Sequence, residues 1–231
     1  MNKLTARRTI GLGVVTLFTA TVATFAQMDQ KLAQTQRENA EALRQYTWKS
    51  RTEIRKGGET KNVQLNLMRY DIRGTLQKTL ISTTPQQQLP TRGLRGRIAQ
   101  KKKDDFIDTL NSLETLTKSY SELAADKMHR FMTTAVITPE TGQKQNLLRI
   151  KGSDVVQPGD SMTWWVDAAT QKMRKIEIQT ALDRKVVSVA SEFQDLPKGP
   201  TYMARSVMDY PSEELVVITE NFDYQQVAVP N

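Results

Sequence analysis

Hydrolysis of a glycosidic bond needs only two carboxyl groups, and this chain of 231 residues carries 25, including Asp167, Asp183 and Glu220 near the ends of candidate strands. No motif singles out a pair of them. His129 is the only imidazole and there is no cysteine. That leaves a Ser-His-Asp triad a single choice of base and removes thiol nucleophiles, disulfides, iron–sulfur clusters and Cys-ligated zinc. A multi-histidine metal site is excluded as well. The chain has no Gly-rich phosphate loop, no nucleophile elbow and no histidine-based metal signature. The reactive residue types therefore point away from an enzyme, a resident metal and a cofactor.

Apolar side chains at strand spacing offer a different chemistry, burial of another apolar molecule. Alternation places Trp48 and Ile54, then Val63, Leu65 and Leu67, on one expected inward face. Met162, Trp164 and Val166, Ile176 and Ile178, and Val187, Val189 and Phe193 follow the same rule, as do Val216, Ile218, Phe222 and Tyr224. Such a face either fills as a core or leaves a cavity. Two ionic residues share its expected parity, Arg69 beyond Leu67 and Glu220 between Ile218 and Phe222. A buried ion is costly unless paired. These two are expected to pair with each other, to meet a ligand headgroup, or to mark strand ends and bulges where the side chain reaches water.

The elements that position these residues start with an N-terminal segment that reads as an address. Lys3, Arg7 and Arg8 precede an uncharged stretch from Ile10 to Phe25, and Thr24 and Ala26 supply small residues before Gln27. Residues 1–26 are thus expected to be an export signal cleaved after Ala26. Its removal leaves 30 basic against 25 acidic side chains, a net charge of +5 in place of +8. On an exported protein that balance suits solubility and peripheral contact with anionic membranes. No nucleic-acid motif is present, and Lys101 to Lys103 run straight into Asp104 and Asp105, the pattern of a solvated helix end.

From Met28 to Gln45 a thin apolar stripe predicts an amphipathic helix. Tyr46 to Ser82 predicts a three-stranded meander turned at Gly57-Gly58 and at Asp71 to Gly74. Residues 83–96, with two prolines, two glycines and three consecutive glutamines, read as a loop. Arg97 to Thr133 predicts two helices broken near Ser119, where Ser119-x-x-Glu122 has the form of a capping box. Six further strands are expected after Pro139 and Gly142, joined by short polar turns as sequential hairpins. The expected fold class is α+β: an antiparallel sheet of about nine strands, large enough to curl.

The stretch Trp164-Trp165-Val166-Asp167-Ala168-Ala169-Thr170-Gln171-Lys172-Met173-Arg174-Lys175-Ile176-Glu177-Ile178 resembles the periplasmic outer-membrane-lipoprotein carrier family, called LolA-like, with its aromatic-x-Asp strand end, Thr-containing turn and returning basic–apolar strand. Glu192-Phe193 to Gly199 and Asn221 to Tyr224 also fit that family's later strands. The resemblance implies one domain over 27–231, an incomplete β-barrel whose apolar hollow is covered by an N-terminal helix and a two-helix insertion over 97–133. It implies lipid or lipoprotein acyl chains as ligand, a periplasmic location, no cofactor and no catalysis. Under it, Trp48, Ile54, Leu65, Leu67, Trp164, Val166, Ile176, Ile178, Val187, Val189, Ile218 and Phe222 are expected to line the cavity. Phe106, Leu110 and Leu113 are expected on a movable lid. A module that senses or binds an envelope protein partner on the same fold, without lipid transport, is the alternative.

Overall fold

The computed structural model describes residues 16–84, 93–140 and 146–227. Most of the expected export signal, residues 1–15, lies outside them, as do residues 85–92 of the expected loop. Helix α1 spans Thr16–Leu43 as one unbroken element, so it begins well before the expected Met28. Strands β1 (Tyr46–Lys56), β2 (Glu59–Tyr70) and β3 (Leu76–Thr83) form the expected meander. Helices α2 (Gly93–Ser121) and α3 (Ala125–Thr134) follow, then β4 (Val136–Glu140), β5 (Leu147–Ser153), β6 (Ser161–Asp167), β7 (Met173–Leu182), β8 (Lys185–Asp195), β9 (Thr201–Tyr210) and β10 (Leu215–Gln226). Among the described residues no helix is long and apolar enough to cross a membrane.

All ten strands form one antiparallel sheet in the order β3-β2-β1-β10-β9-β8-β7-β6-β5-β4, with β3 and β4 as its edge strands among the described residues. The sheet is open and curved, and register shifts that leave an extra residue in β10, β2, β3, β7 and β9 supply local bends. The strand that sequence reading missed is β4, because Pro139 reads as a breaker. As an edge strand β4 has no second neighbour among the described residues to miss the absent N–H, and Pro139 sits opposite Leu148.

Turn chemistry sets the hairpins. Gly57 and Gly58 adopt φ of +60° and +77°, the pair of positive values that a two-residue hairpin requires. Asp71 accepts the N–H groups of Arg73 and Thr75, each at 2.9 Å. Asp167 accepts those of Ala169 and Thr170 at 3.0 and 2.8 Å. The Thr170 N–H is the main cause holding the Asp167 carboxyl below its ordinary range. Asp167 is therefore a turn-closing residue. The expected helix break near Ser119 moves to residues 122–124: Ser119 donates its hydroxyl to the Leu116 carbonyl at 2.6 Å and stays inside α2.

Directly opposed residues share a face of a sheet. One row across nine strands therefore sets the parity of the helix-covered side up to the bulges: Gln64, Thr52, Thr219, Ser206, Ser191, Ile176, Trp164, Ile150 and Ile137. Its β7 to β4 half is apolar, and α3 and the end of α2 pack there. Phe131 lies 4.8 Å from the Trp164 ring, and a Cβ at Gly152 would fall 2.6 Å from the Phe131 ring, so only glycine admits that contact. Tyr120 donates to the buried Asp160 carboxylate at 2.5 Å and meets the Thr180 hydroxyl at 2.7 Å. Asp160 also accepts three backbone N–H groups from Val155, Val156 and Gln157. Burial, then the Asp160 carboxylate, pushes the Tyr120 phenol well above its ordinary range. Further along α2, the fully buried Leu113 belongs to a second cluster with Val187, Tyr210 and Leu215, flanked by Phe106, Leu110 and Ile54.

Candidate binding groove

Helix α1 crosses the same face of the sheet at the opposite end of the strands, where Leu32, Asn39 and Leu43 are among its described side chains that meet the sheet. Leu32, 2% exposed, reaches the main core. Asn39 makes a two-way bond with the backbone of Thr201: its Nδ2 donates to the carbonyl at 2.8 Å and its Oδ1 accepts the N–H at 2.6 Å. Leu43 roofs an open groove of about 380 Å³ between the helix and the sheet. That volume sits at the small end of the range of roughly 300–1,000 Å³ for small-molecule sites.

One wall of the groove is Trp48, Met68 and Tyr70 on β1 and β2; the floor is Tyr202, Met203, Thr219 and Tyr224 on β9 and β10; the far wall is Met173 and Phe193 on β7 and β8. With Leu76 of β3 beyond the first wall, the lining spans seven strands, about 29 Å at ~4.8 Å per strand spacing. Three aromatic contacts run along the first wall and the floor, one of them joining the two. Trp48 stacks on Tyr224 at 5.4 Å, Tyr202 leans on Tyr224 at 4.4 Å, and Trp48 meets Tyr70 at 5.7 Å. Burial, then the phenols of Tyr202 and Tyr70, pushes the Tyr224 hydroxyl well above its ordinary range. Burial also raises Tyr70. These are unionised side chains in a largely apolar hollow, with no nucleophile–base pair among them. Among the described residues no group of three or more His, Asp or Glu could hold a metal ion.

The structure divides the expected cavity residues into three groups. Trp48 alone lines the groove. Trp164, Val166, Ile176, Ile178, Val187 and Val189 face the helices but are packed into core beneath α2 and α3, and Ile54, like Phe106 and Leu110, packs against the Leu113 cluster. Among the described residues, packed side chains occupy the space beneath the expected lid, and Leu113 is a core residue with no exposed surface.

Leu65, Leu67, Ile218 and Phe222 lie on the opposite, outer face, as do Arg69 and Glu220. In β2 both parities are plausible by pattern. The register nevertheless pairs Met68 with Trp48 and Asn66 with Ser50, which turns Leu67 outward beside Lys49 at 37% exposure. In β10 the inward residues are Leu215 and Val217, while Phe222 is 42% exposed. A register shift near Asp223, itself at φ +56°, then returns Tyr224 to the inner face. Glu220 pairs with Arg51 at 3.4 Å and with Arg205 at 3.7 Å, while Arg69 stands opposite Thr47 and Gln77, so the two do not meet.

The outer face also holds a charge cluster that sequence reading did not pick out. Glu53, 5% exposed, accepts from Arg55 at 2.6 Å, Arg51 at 2.7 Å and Thr60 at 2.9 Å. These bonds, Arg55's first, hold its carboxyl at about 2 against an ordinary 4.5. A depressed carboxylate pKa stabilises the fold above the unfolded value and loses that contribution as pH falls from 4.5 through about 2. Glu53→Gln is expected to flatten the acid limb of the stability–pH curve in that window, measured by urea unfolding between pH 2 and 6. An unchanged limb would show that the cluster does not couple to folding.

Sequence reasoning also missed Asn39, Met68, Tyr70, Tyr202 and Met203. A usable signal was present, because Tyr46, Tyr70, Tyr202 and Tyr224, four of six tyrosines, all fall near strand ends that abut α1.

No protein-family model matches the chain, and no curated protein sequence matches it. Among solved structures it is similar to a LolA-superfamily protein from Nitrosomonas europaea, at 13% identity and a TM-score of 0.37, covering 84% of this chain and 92% of that one. A DUF1329 family protein from Desulfovibrio piger is similar at 8% identity and a TM-score of 0.42, covering 90% and 95%. A domain from Vibrio parahaemolyticus assigned to outer membrane lipoprotein sorting is similar at 8% identity and a TM-score of 0.43, covering 87% and 92%. At these identities and TM-scores the likeness says nothing of ligand or activity.

Proposed function

We propose that this protein binds the acyl chain of an amphiphile in the groove beneath α1, and acts as an exported, periplasmic carrier or binder of lipid or lipoprotein. The observation that supports this most is the groove itself: a largely apolar hollow, walled by aromatic rings and methionines and roofed by a helix that Asn39 ties to Thr201. Burial of an acyl chain contributes about 0.8 kcal/mol per methylene, so twelve carbons supply on the order of 9 kcal/mol before ordering costs. Binding of this kind needs no catalytic group. It needs a movable cover, and α1 fits that role better than the firmly packed α2.

Extraction of the purified full chain followed by lipid mass spectrometry tests the proposal. Co-purifying acyl species are expected; an empty protein that also fails to take up a fluorescent fatty acyl probe would rule it out. Asn39→Ala removes both bonds to Thr201 and is expected to cost about 1–2 kcal/mol of α1 docking. Stopped-flow release of the acyl probe should then accelerate about tenfold. Release at the unmodified rate would show that α1 is not the gate.

A second reading has one specific observation behind it. The edge strand β3 exposes Leu76, Leu80 and Ile81 at 46%, 55% and 50%, an edge suited to pairing with a strand of an envelope protein. Absence of any acyl ligand, together with capture of a peptide strand along β3, would favour that role.

A further inference from the structure

An amphiphile has two ends, and the groove is not equivalent at its two ends. Its β2 end is aromatic. Its β7 end holds Lys172, the one ionic side chain among the described residues that line it. Lys172 Nζ lies 3.2 Å from Asp195 Oδ1 and keeps 31% of its side-chain surface exposed.

Asp195 does not line the groove. It faces the neighbouring cleft with Trp165 and Lys175. It also receives Arg174 at 3.0 Å and the Thr201 hydroxyl at 2.5 Å, so it keeps two partners if the ammonium turns away. Lys172 is thus free to exchange a shared, long contact for a ligand anion at little cost to Asp195. Among the described lining residues there is no carboxylate to repel such an anion and no second cation; Arg44, whose charge is felt by Tyr70, stands outside the lining at the other end.

We propose that the ligand carries an anionic head, a carboxylate or a phosphate monoester on an acyl chain, and that Lys172 reads that head at the β7 end while the tail runs toward Trp48 and Tyr70. This rests on the acyl-chain reading of the groove and adds the class of head. A hydrogen-bonded charge pair of this kind, partly desolvated, gives roughly a tenfold preference or more and weakens with salt.

The test titrates the full chain with dodecanoate, dodecyl phosphate and dodecanol, each below its micelle concentration, and repeats the series on Lys172→Gln and Lys172→Arg. The native chain should bind at least one anion about tenfold tighter than dodecanol, and which one it prefers separates carboxylate from phosphate. Lys172→Gln should weaken the anions and leave dodecanol unchanged, whereas Lys172→Arg should keep the preference. Equal affinity for dodecanol and both anions, or a preference that survives Lys172→Gln, overturns the inference while leaving the groove as the binding site. Failure of all three to bind overturns the groove reading, and this inference with it.

Discussion

Thr219→Trp is expected to weaken dodecanoyl-probe binding about a hundredfold while leaving the thermal midpoint unchanged or higher. Thr219 lies in the middle of the groove floor, between Thr52 and Ser206 in its cross-strand row. Both neighbours are small, so an indole at this position projects into open space instead of into packed side chains. Enlargement in a tight core usually destabilises, but enlargement into a void adds contact and can stabilise. An indole that excludes about four methylenes from the groove removes roughly 3 kcal/mol of acyl burial, which is about two decades of affinity. A fluorescence titration and a thermal melt on the same preparation check both halves. Native affinity in the variant would mean that the acyl chain lies elsewhere.

Leu113→Ala is expected to do the reverse: lower unfolding stability by about 3–5 kcal/mol and leave probe affinity within twofold. Leu113 has no exposed surface and sits among Val187, Tyr210 and Leu215, so truncation leaves a cavity that the surrounding sheet cannot close. Leu110→Glu would act through the same cluster, by placing a carboxylate against the buried side chains on which Leu110 packs. If α2 were the gate, both variants would alter ligand exchange first. With α1 as the gate they act on folding, and urea unfolding with parallel titration separates the two. A large loss of affinity in folded Leu113→Ala protein would return the lid to α2.

The contrast between the two helices explains which parts of the molecule were legible from sequence. Strand positions followed from alternation and turn residues: Gly57-Gly58 and Asp167 do what their chemistry predicts. Pro139 hid β4 because a residue that breaks a central strand is harmless at an edge. The face of each strand was harder. Trp164, Ile178 and Val189 face the helices as alternation suggests, but β2 carries leucines on one parity and Asn66 and Met68 on the other. Only the pairing of Met68 with Trp48 decides between them. In β10 the bulge near Asp223 reverses the parity partway along, which no count of alternating residues can reveal.

The groove itself was out of reach for a further physical reason. Whether a patch of apolar side chains becomes filled core or open hollow depends on what lies above it. Under α2 and α3, Leu113, Tyr120 and Phe131 fill the space; under α1, Asn39 and Leu43 bridge it. The amphipathic stripe expected over Met28 to Gln45 showed that a helix would lie on the sheet. It did not show that only Leu32 would be deeply buried among its described side chains.

The three tryptophans report on the three environments separately. Trp48 walls the groove, Trp164 is packed against Phe131 in the core, and Trp165 lies on the outer face beneath Lys175. Titration of the ¹⁵N-labelled protein with dodecanoate, followed through its indole N–H signals, therefore locates the acyl chain directly. Saturable movement of the Trp48 signal with Trp164 and Trp165 unmoved is the predicted result. Movement of Trp164 without Trp48, or no movement of either at concentrations where the probe is taken up, would contradict a binding groove beneath α1.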